Sequence, residues 1–319
     1  MYSRRVQLTG RSTYIVSLPK EWVEDRRIEK GSLLSLRRYG DRLLVSLEES
    51  KGEKTIEAID VSNFKLEDIP LKLISSYTSG ADFIEIRCGK GLLPEIKCAV
   101  KEAMGKLVGL EIVEESYSHI LLQDLASREG LSIRKGLHRL YLMVRSSYKD
   151  IIRAISGDIE LARDVIGRDD EIDKLTFLIT KRYNELLRSG TARETRAGLG
   201  YLLAAKSLER IGDHGLRICE NLIAMEAKNG LSELESLEPI IDAFINRLDL
   251  AVDSVMRGSF EKGVEAIRME IDVPVTNGDV NLAYIMDSLI RVISYTSNIA
   301  EASIDFVVGH ELTPFQTED

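Results

Sequence analysis

Ser207–Asn221 reads SLERIGDHGLRICEN, and Ser288–Ala302 repeats it in weakened form as SLIRVISYTSNIAEA. In the first copy Glu209, Asp213 and Glu220 are spaced by four and seven residues. At about 100° per residue those steps return to within roughly 40° of the start, so three carboxylates line one side of a helix. Leu203, Leu208, Ile211, Ile218 and Leu222 fall opposite and are expected to form the buried face. Like charges at helical spacing repel. A hard cation is the simplest compensation.

Around this stretch the chain is helical from Leu131 onward. Ile133, Leu137, Leu140, Tyr141, Val144, Tyr148, Ile151, Ile152 and Ile155 step by three and four along one apolar stripe. Gly157-Asp158 ends that helix and opens one running to about Arg188; a third runs from about Arg193 to Lys228, with Asn229-Gly230 as its stop. Glu233–Arg257, Phe260–Asp272 and Asp279–Val308 make a second trio, broken at Val273–Gly278. The offset between the repeats falls from 101 to 81 residues, so the second middle helix is short. Two unequal three-helix bundles are expected.

Glu-Arg-Ile-Gly-Asp-His followed by Ile-Cys-Glu resembles the signature of the PhoU family, regulators of phosphate uptake. The resemblance implies two three-helix repeats carrying acidic E(D)xxxD motifs, which hold iron or zinc clusters in several members. Glu209-xxx-Asp213 matches one motif, and Asp169-xxx-Asp173, in GRDDEIDKL, matches its companion on the preceding helix. The likeness covers roughly Leu131 to the C-terminus. The second repeat departs from it: Ile290 stands for Glu209, Ser294 for Asp213, Glu270 opposite Asp169 and Pro274 opposite Asp173, while Glu301 keeps the place of Glu220. Iron or zinc ions are therefore expected only in the first repeat, at Asp169, Asp173, Glu209, Asp213 and Glu220. The competing reading is that these acids are a solvated face of an acidic bundle.

At the other end, Val6 and Leu8, then Tyr14, Val16 and Leu18, alternate as strand residues do, with Gly10-Arg11-Ser12 as the turn. Pro19 starts a short helix with Trp22 and Val23 on its apolar side. Leu33–Leu36 and Leu43–Leu47 follow as strands, giving β-β-α-β-β in about 48 residues, too few for a secure core unaided. Pairing two copies would supply one. QLTGRSTYIVSLPKEW with its IEKGS turn resembles the AbrB/SpoVT swapped-hairpin domain, which implies an intertwined dimer that binds DNA. Carried over by position, Arg4, Arg5, Arg11 and Lys20 are the expected DNA contacts, since neutralised phosphates dominate such binding. The alternative is a module used for dimerisation alone.

Between Lys54 and Leu125 strands and helices alternate as β-α-β-α-β-β, a small two-layer α/β unit. Gly89-Lys90-Gly91 sits at a strand-to-helix junction but lacks Walker spacing, and Pro94 suffices to explain the turn.

Composition excludes several classes. Hydrophobic residues make up 44% and charged residues 30%, ordinary for a soluble globular protein of 319 residues, and no apolar run is long enough to span a membrane. MYSRRVQLTG lacks the apolar region of a signal peptide. Cys88, Cys98 and Cys219 are too scattered for a disulfide framework or a thiolate zinc site, and the expected location is cytoplasmic. The net charge of −9 hides a basic head: residues 1–42 hold ten Lys and Arg against five Asp and Glu. The four histidines, His119, His138, His214 and His310, have no protease or metal spacing, and no Walker, G-x-S-x-G or H-E-x-x-H motif occurs. A non-enzyme is expected.

The sequence thus predicts a multi-domain, mainly α protein. It comprises a β-rich swapped-hairpin domain (1–50), a small α/β domain (51–126), a PhoU-like three-helix repeat (127–230) and a degenerate second one (231–319). The resemblances imply a phosphate-uptake regulator that binds DNA as a homodimer and couples phosphate status to transport. The alternative is an adaptor that dimerises through its front domain and modulates a phosphate ABC transporter, its ATPase or a phosphate-signalling protein, without touching DNA. A metal-storage protein or metal-dependent enzyme is a third reading, weakened because no Glu-x-x-His completes a di-iron set.

Overall fold

The computed structural model describes residues 2–39, 42–47, 54–89, 91–126, 132–189, 192–227, 234, 236–274 and 279–311. Lys90, Gly190, the Asn229-Gly230 stop and the Asn277-Gly278 break lie outside the described residues. The chain divides into two compact units, 1–53 and 54–319.

In the first unit β1 (Gln7–Thr9) pairs antiparallel with β2 (Thr13–Ile15) around Gly10, whose φ of +69° favours glycine. After α1 (Lys20–Asp25), β3 (Leu34–Tyr39) pairs antiparallel with β4 (Arg42–Leu47) in a second, separate sheet. The order is β-β-α-β-β. No described residue of this unit is buried: Tyr14 is 75% exposed, and Val6, Leu8, Val16, Leu33, Leu36 and Leu43 are all exposed. Two-stranded hairpins are marginal alone in water.

The second unit opens with an α/β layer. Its elements are β5 (Ile56–Asp60), α2 (Asp68–Thr78), β6 (Phe83–Arg87), α3 (Pro94–Gly105), β7 (Leu110–Glu115) and β8 (His119–Asp124). The sheet order is β5-β6-β8-β7, with β5 parallel to β6 and the other pairings antiparallel. Pro94 stands in the first turn of α3, where its missing N–H costs nothing. Ile84, Ile86, Ile120 and Leu122 from the sheet meet Leu73, Tyr77 and Val100 from the helices in one core.

The helical region comprises α4 (Ile133–Ile155), α5 (Glu160–Gly167), α6 (Asp169–Ser189), α7 (Ala192–Glu226), α8 (Glu238–Arg257), α9 (Phe260–Arg268) and α10 (Val280–Glu311). Ser132 caps α4 by accepting from the Lys135 N–H, and Gly258 ends α8 in the left-handed conformation at φ +66°. The two trios meet in one continuous core: Tyr148 of α4 lies against Phe244 of α8, ring centroids 4.6 Å apart.

Three expectations are corrected. The single helix expected from Asp158 to Arg188 is broken at Arg168, whose guanidinium is drawn to Asp150 of α4 at 2.6 Å. α9 stops at Arg268 rather than Asp272, because the Met269 carbonyl accepts from Arg247 of α8 at 2.8 Å instead of continuing the helix. Leu203 is not buried; it is 48% exposed. On the helical wheel it lies about 60° outside the arc of Leu208, Ile211, Ile218 and Leu222, all fully buried.

The α/β layer docks on α6. Phe177 packs into the sheet's core. Lys181, 1% exposed, pairs with Asp124 at 2.7 Å, lies 4.3 Å from the Tyr77 ring centroid and donates to the Ala81 carbonyl at 3.3 Å. Asn184 donates to the Thr78 carbonyl and Arg188 to that of Gly80, at 2.8 and 2.7 Å. A buried ammonium persists only where charge and hydrogen bonds are matched in this way.

Candidate functional site

The acidic stripe is assembled where the start of α6 crosses the middle of α7. Asp169, Asp170 and Glu171 occupy the first turn of α6, where the helix dipole favours carboxylates. Asp173 lies one turn further along. Glu209 and Asp213 lie one turn apart on α7, separated by Gly212. That glycine sets the helix spacing: a Cβ there would stand 2.9 Å from Ile172 Cδ1. Sequence reasoning missed its role, although an isolated glycine inside a helix is itself a packing signal.

The four carboxylates feel one another. Burial raises Asp169, Asp173 and Glu209 above the usual carboxylate range; neighbouring acids push the same way, and the Lys106, Lys206 and Arg210 cations pull back. Asp213 is pushed up to about 6, first by burial, then by Glu209, Asp169 and Asp173. Glu220, exposed as Asp213 also is, is not among the main charges acting on Asp213. The structure therefore brings Asp169, Asp173, Glu209 and Asp213 together and leaves Glu220 at the margin.

Lys106, just past the end of α3, is the residue that sequence reasoning did not place here. Its Nζ lies 3.0 Å from Asp170 Oδ1 and 3.7 Å from Asp173 Oδ2. Those carboxylates raise its pKa, the Asp170 hydrogen bond most of all. No local pattern signals a pair so distant along the chain.

The donor set is all carboxylate oxygen, which suits a hard cation. As the side chains are oriented here, no three His, Cys, Asp or Glu among the described residues stand around one common point. His214, next to Asp213 in sequence, turns away from the stripe. It is 8% exposed and its ring faces Tyr295 of α10. In the second repeat the positions of Glu209 and Asp213 are held by Ile290 and Ser294.

The candidate DNA contacts lie in the first unit and are exposed. Arg4 and Arg5 precede β1, Arg11 stands in the β1–β2 turn, and Lys20 opens α1, 3.5 Å from Glu24. No helix among the described residues is long and apolar enough to cross a membrane.

Both acidic pairs fall within the residues that match one family's model. Residues 137–222, from α4 to α7, match the PhoU domain. The chain is 24% identical over 200 residues to the phosphate-specific transport system accessory protein PhoU homolog 1 of Thermotoga maritima, covering 60% of this chain and 79% of that protein. It is 31% identical over 118 residues to a PhoU homolog of Caulobacter vibrioides with the same accessory description, covering 35% of this chain and 47% of its relative. The crystal structure of PhoU from Pseudomonas aeruginosa aligns with 56% of this chain and 96% of its own, at 21% identity and a TM-score of 0.47.

Proposed function

We propose that this chain is an accessory regulator of a phosphate transport system, acting by contact with a transporter component or its signalling partner rather than by chemistry of its own. One observation carries the reading: the PhoU domain match spans α4 to α7 and contains Asp169, Asp173, Glu209 and Asp213. The accessory role named for the Thermotoga and Caulobacter relatives supports it. The test is affinity purification of the tagged full chain from its own host, probed for the ATPase of the phosphate transporter, together with phosphate uptake by cells lacking the chain. Absence of the ATPase and unchanged uptake, at both high and low phosphate, would sink it.

The basic first unit favours a second reading, in which the paired hairpins bind DNA. Its support is the exposed Arg4, Arg5, Arg11 and Lys20 in a head with ten cations against five acids. Removing one cation from a phosphate lowers the salt slope of binding by about one. A gel shift on the chain's own upstream DNA decides it: the Arg4→Ala, Arg5→Ala, Arg11→Ala variant should bind more weakly with a flatter slope. An unaltered slope removes these arginines from the interface.

A further inference from the structure

Lys106 is delivered to the acidic stripe by a separate layer of the fold, one that lies outside the matched residues 137–222. Its backbone is fixed from both directions. α3 is held in the sheet core through Val100 and Ala103, and the whole layer is latched to α6 by the buried Lys181–Asp124 pair. An exposed ion pair normally contributes little, because two long side chains must be ordered to make it. Here the two backbones are already positioned, so the ammonium reaches Asp170 and Asp173 at a reduced entropic cost.

Geometry separates an ammonium from a metal ion at this place. A hard divalent ion asks for about six oxygen ligands at close, regular distances. An ammonium is a point charge with three rotatable donors and tolerates irregular spacing. Four half-gathered carboxylates, no three of them placed around a common centre, serve the second and not the first.

We propose that Lys106 is a resident counter-cation at the α6 end of the stripe, that it holds beside Asp173 the place a metal ion would take, and that this chain therefore keeps its acidic site metal-free. The α/β layer then acts as a cap on the bundle, neutralising the α6 acids with its own charge. The proposal stands whether or not the chain regulates transport.

The test uses the full chain as wild type, Lys106→Met and Lys106→Arg, each loaded with zinc, manganese or iron, desalted and analysed for metal per chain, with zinc affinity measured by calorimetry. Wild type and Lys106→Arg should retain no more metal than an Asp173→Ala, Asp213→Ala control. Lys106→Met should bind zinc at least about tenfold more tightly, because it loses one competing charge in partly screened surroundings and frees the Asp170 and Asp173 side chains to turn toward a common centre. That gain should vanish when Asp173→Ala and Asp213→Ala are added. Circular dichroism confirms folding, and Lys106→Gln replaces the Met variant if that one aggregates. A stoichiometric ion in wild type that the double aspartate variant loses overturns the proposal. So does a Lys106→Met protein with no gain in affinity.

Discussion

His214 of α7 and Tyr295 of α10 are counterparts in the two repeats and lie ring against ring, with centroids 5.9 Å apart and planes tilted by 35°. α7 and α10 thus pack against each other at matching positions of the two sequence repeats. The alignment that matches His214 with Tyr295 also matches Glu209 and Asp213 with Ile290 and Ser294, so corresponding faces of the two helices differ in chemistry.

That ring pair has a cost, and it sets the first prediction. His214 Nδ1 is buried without a hydrogen-bond partner. Burial lowers the ring's pKa below 6.5, helped by Arg217 and Arg210 on α7 and Arg291 on α10, against Asp287 on α10. The unfolded chain thus takes up the proton first, and stability is lost as pH falls below 6.5 toward the folded value. Phenylalanine keeps the ring against Tyr295 and removes both penalties. His214→Phe should raise Tm by about 2–4 °C per kcal/mol recovered, with roughly 1 kcal/mol from the orphaned atom. The gain should be larger at pH 5.5 than at pH 8. A gain equal at both would refute the protonation component.

The acidic stripe gives the opposite pH signature. Asp213 is raised to about 6 from an ordinary value of 3.8. The folded state therefore binds its proton more tightly, so stability is lost as pH rises from about 4 to 6 and stays lost above that. Replacing Asp213 by Asn removes the charge without changing shape. In metal-free buffer Asp213→Asn should stabilise the chain at pH 7.5 by about 1 kcal/mol, after allowing for solvent screening of an exposed side chain. The gain should disappear by pH 4. Urea melts at the two pH values measure it, and destabilisation at pH 7.5 would contradict the account.

Gly212 is the packing residue beneath those charges. An alanine would gain about 1 kcal/mol of helix propensity but press its methyl to 2.9 Å from Ile172 Cδ1, between two helix backbones with little room to move. Overpacking of this kind costs about 1–3 kcal/mol. Gly212→Ala should therefore be neutral to destabilising, and Ile172→Val, which removes the clashing methyl, should restore stability in the double variant. A double variant no more stable than Gly212→Ala would show that this pair does not set the spacing.

What could be read from the residues was whatever is local and periodic. The stripe of Leu137, Leu140, Val144, Tyr148 and Ile151 is fully buried as its spacing predicts. Gly258 ends a helix in the left-handed conformation that glycine adopts most readily. The acidic steps of four and seven gave the face of α7. What could not be read depends on partners far along the chain. The break at Arg168 needs Asp150, the docking of the α/β layer needs Lys181 with Asp124, and Lys106 reaches acids on another layer. No periodicity encodes which distant charges meet.

The first unit carries the last prediction. Val6, Leu8, Tyr14, Val16, Leu33, Leu36 and Leu43 are exposed in and beside the two hairpins, and none of the unit's described residues is buried. Each such side chain contributes about 1.5–3 kcal/mol when fully buried. Over two copies that exceeds the roughly 4–15 kcal/mol that association costs in lost freedom, so pairing is favoured even if burial is incomplete. A chain lacking residues 1–53 loses this surface but keeps the core of the second unit whole. Light scattering should therefore report twice the chain mass for the full protein and a single chain for the truncated one. Leu8→Asp with Leu36→Asp should likewise give monomers while the helical signal in circular dichroism stays unchanged. A truncated protein that remains dimeric would move the interface to the second unit and leave the exposed hairpins without a partner.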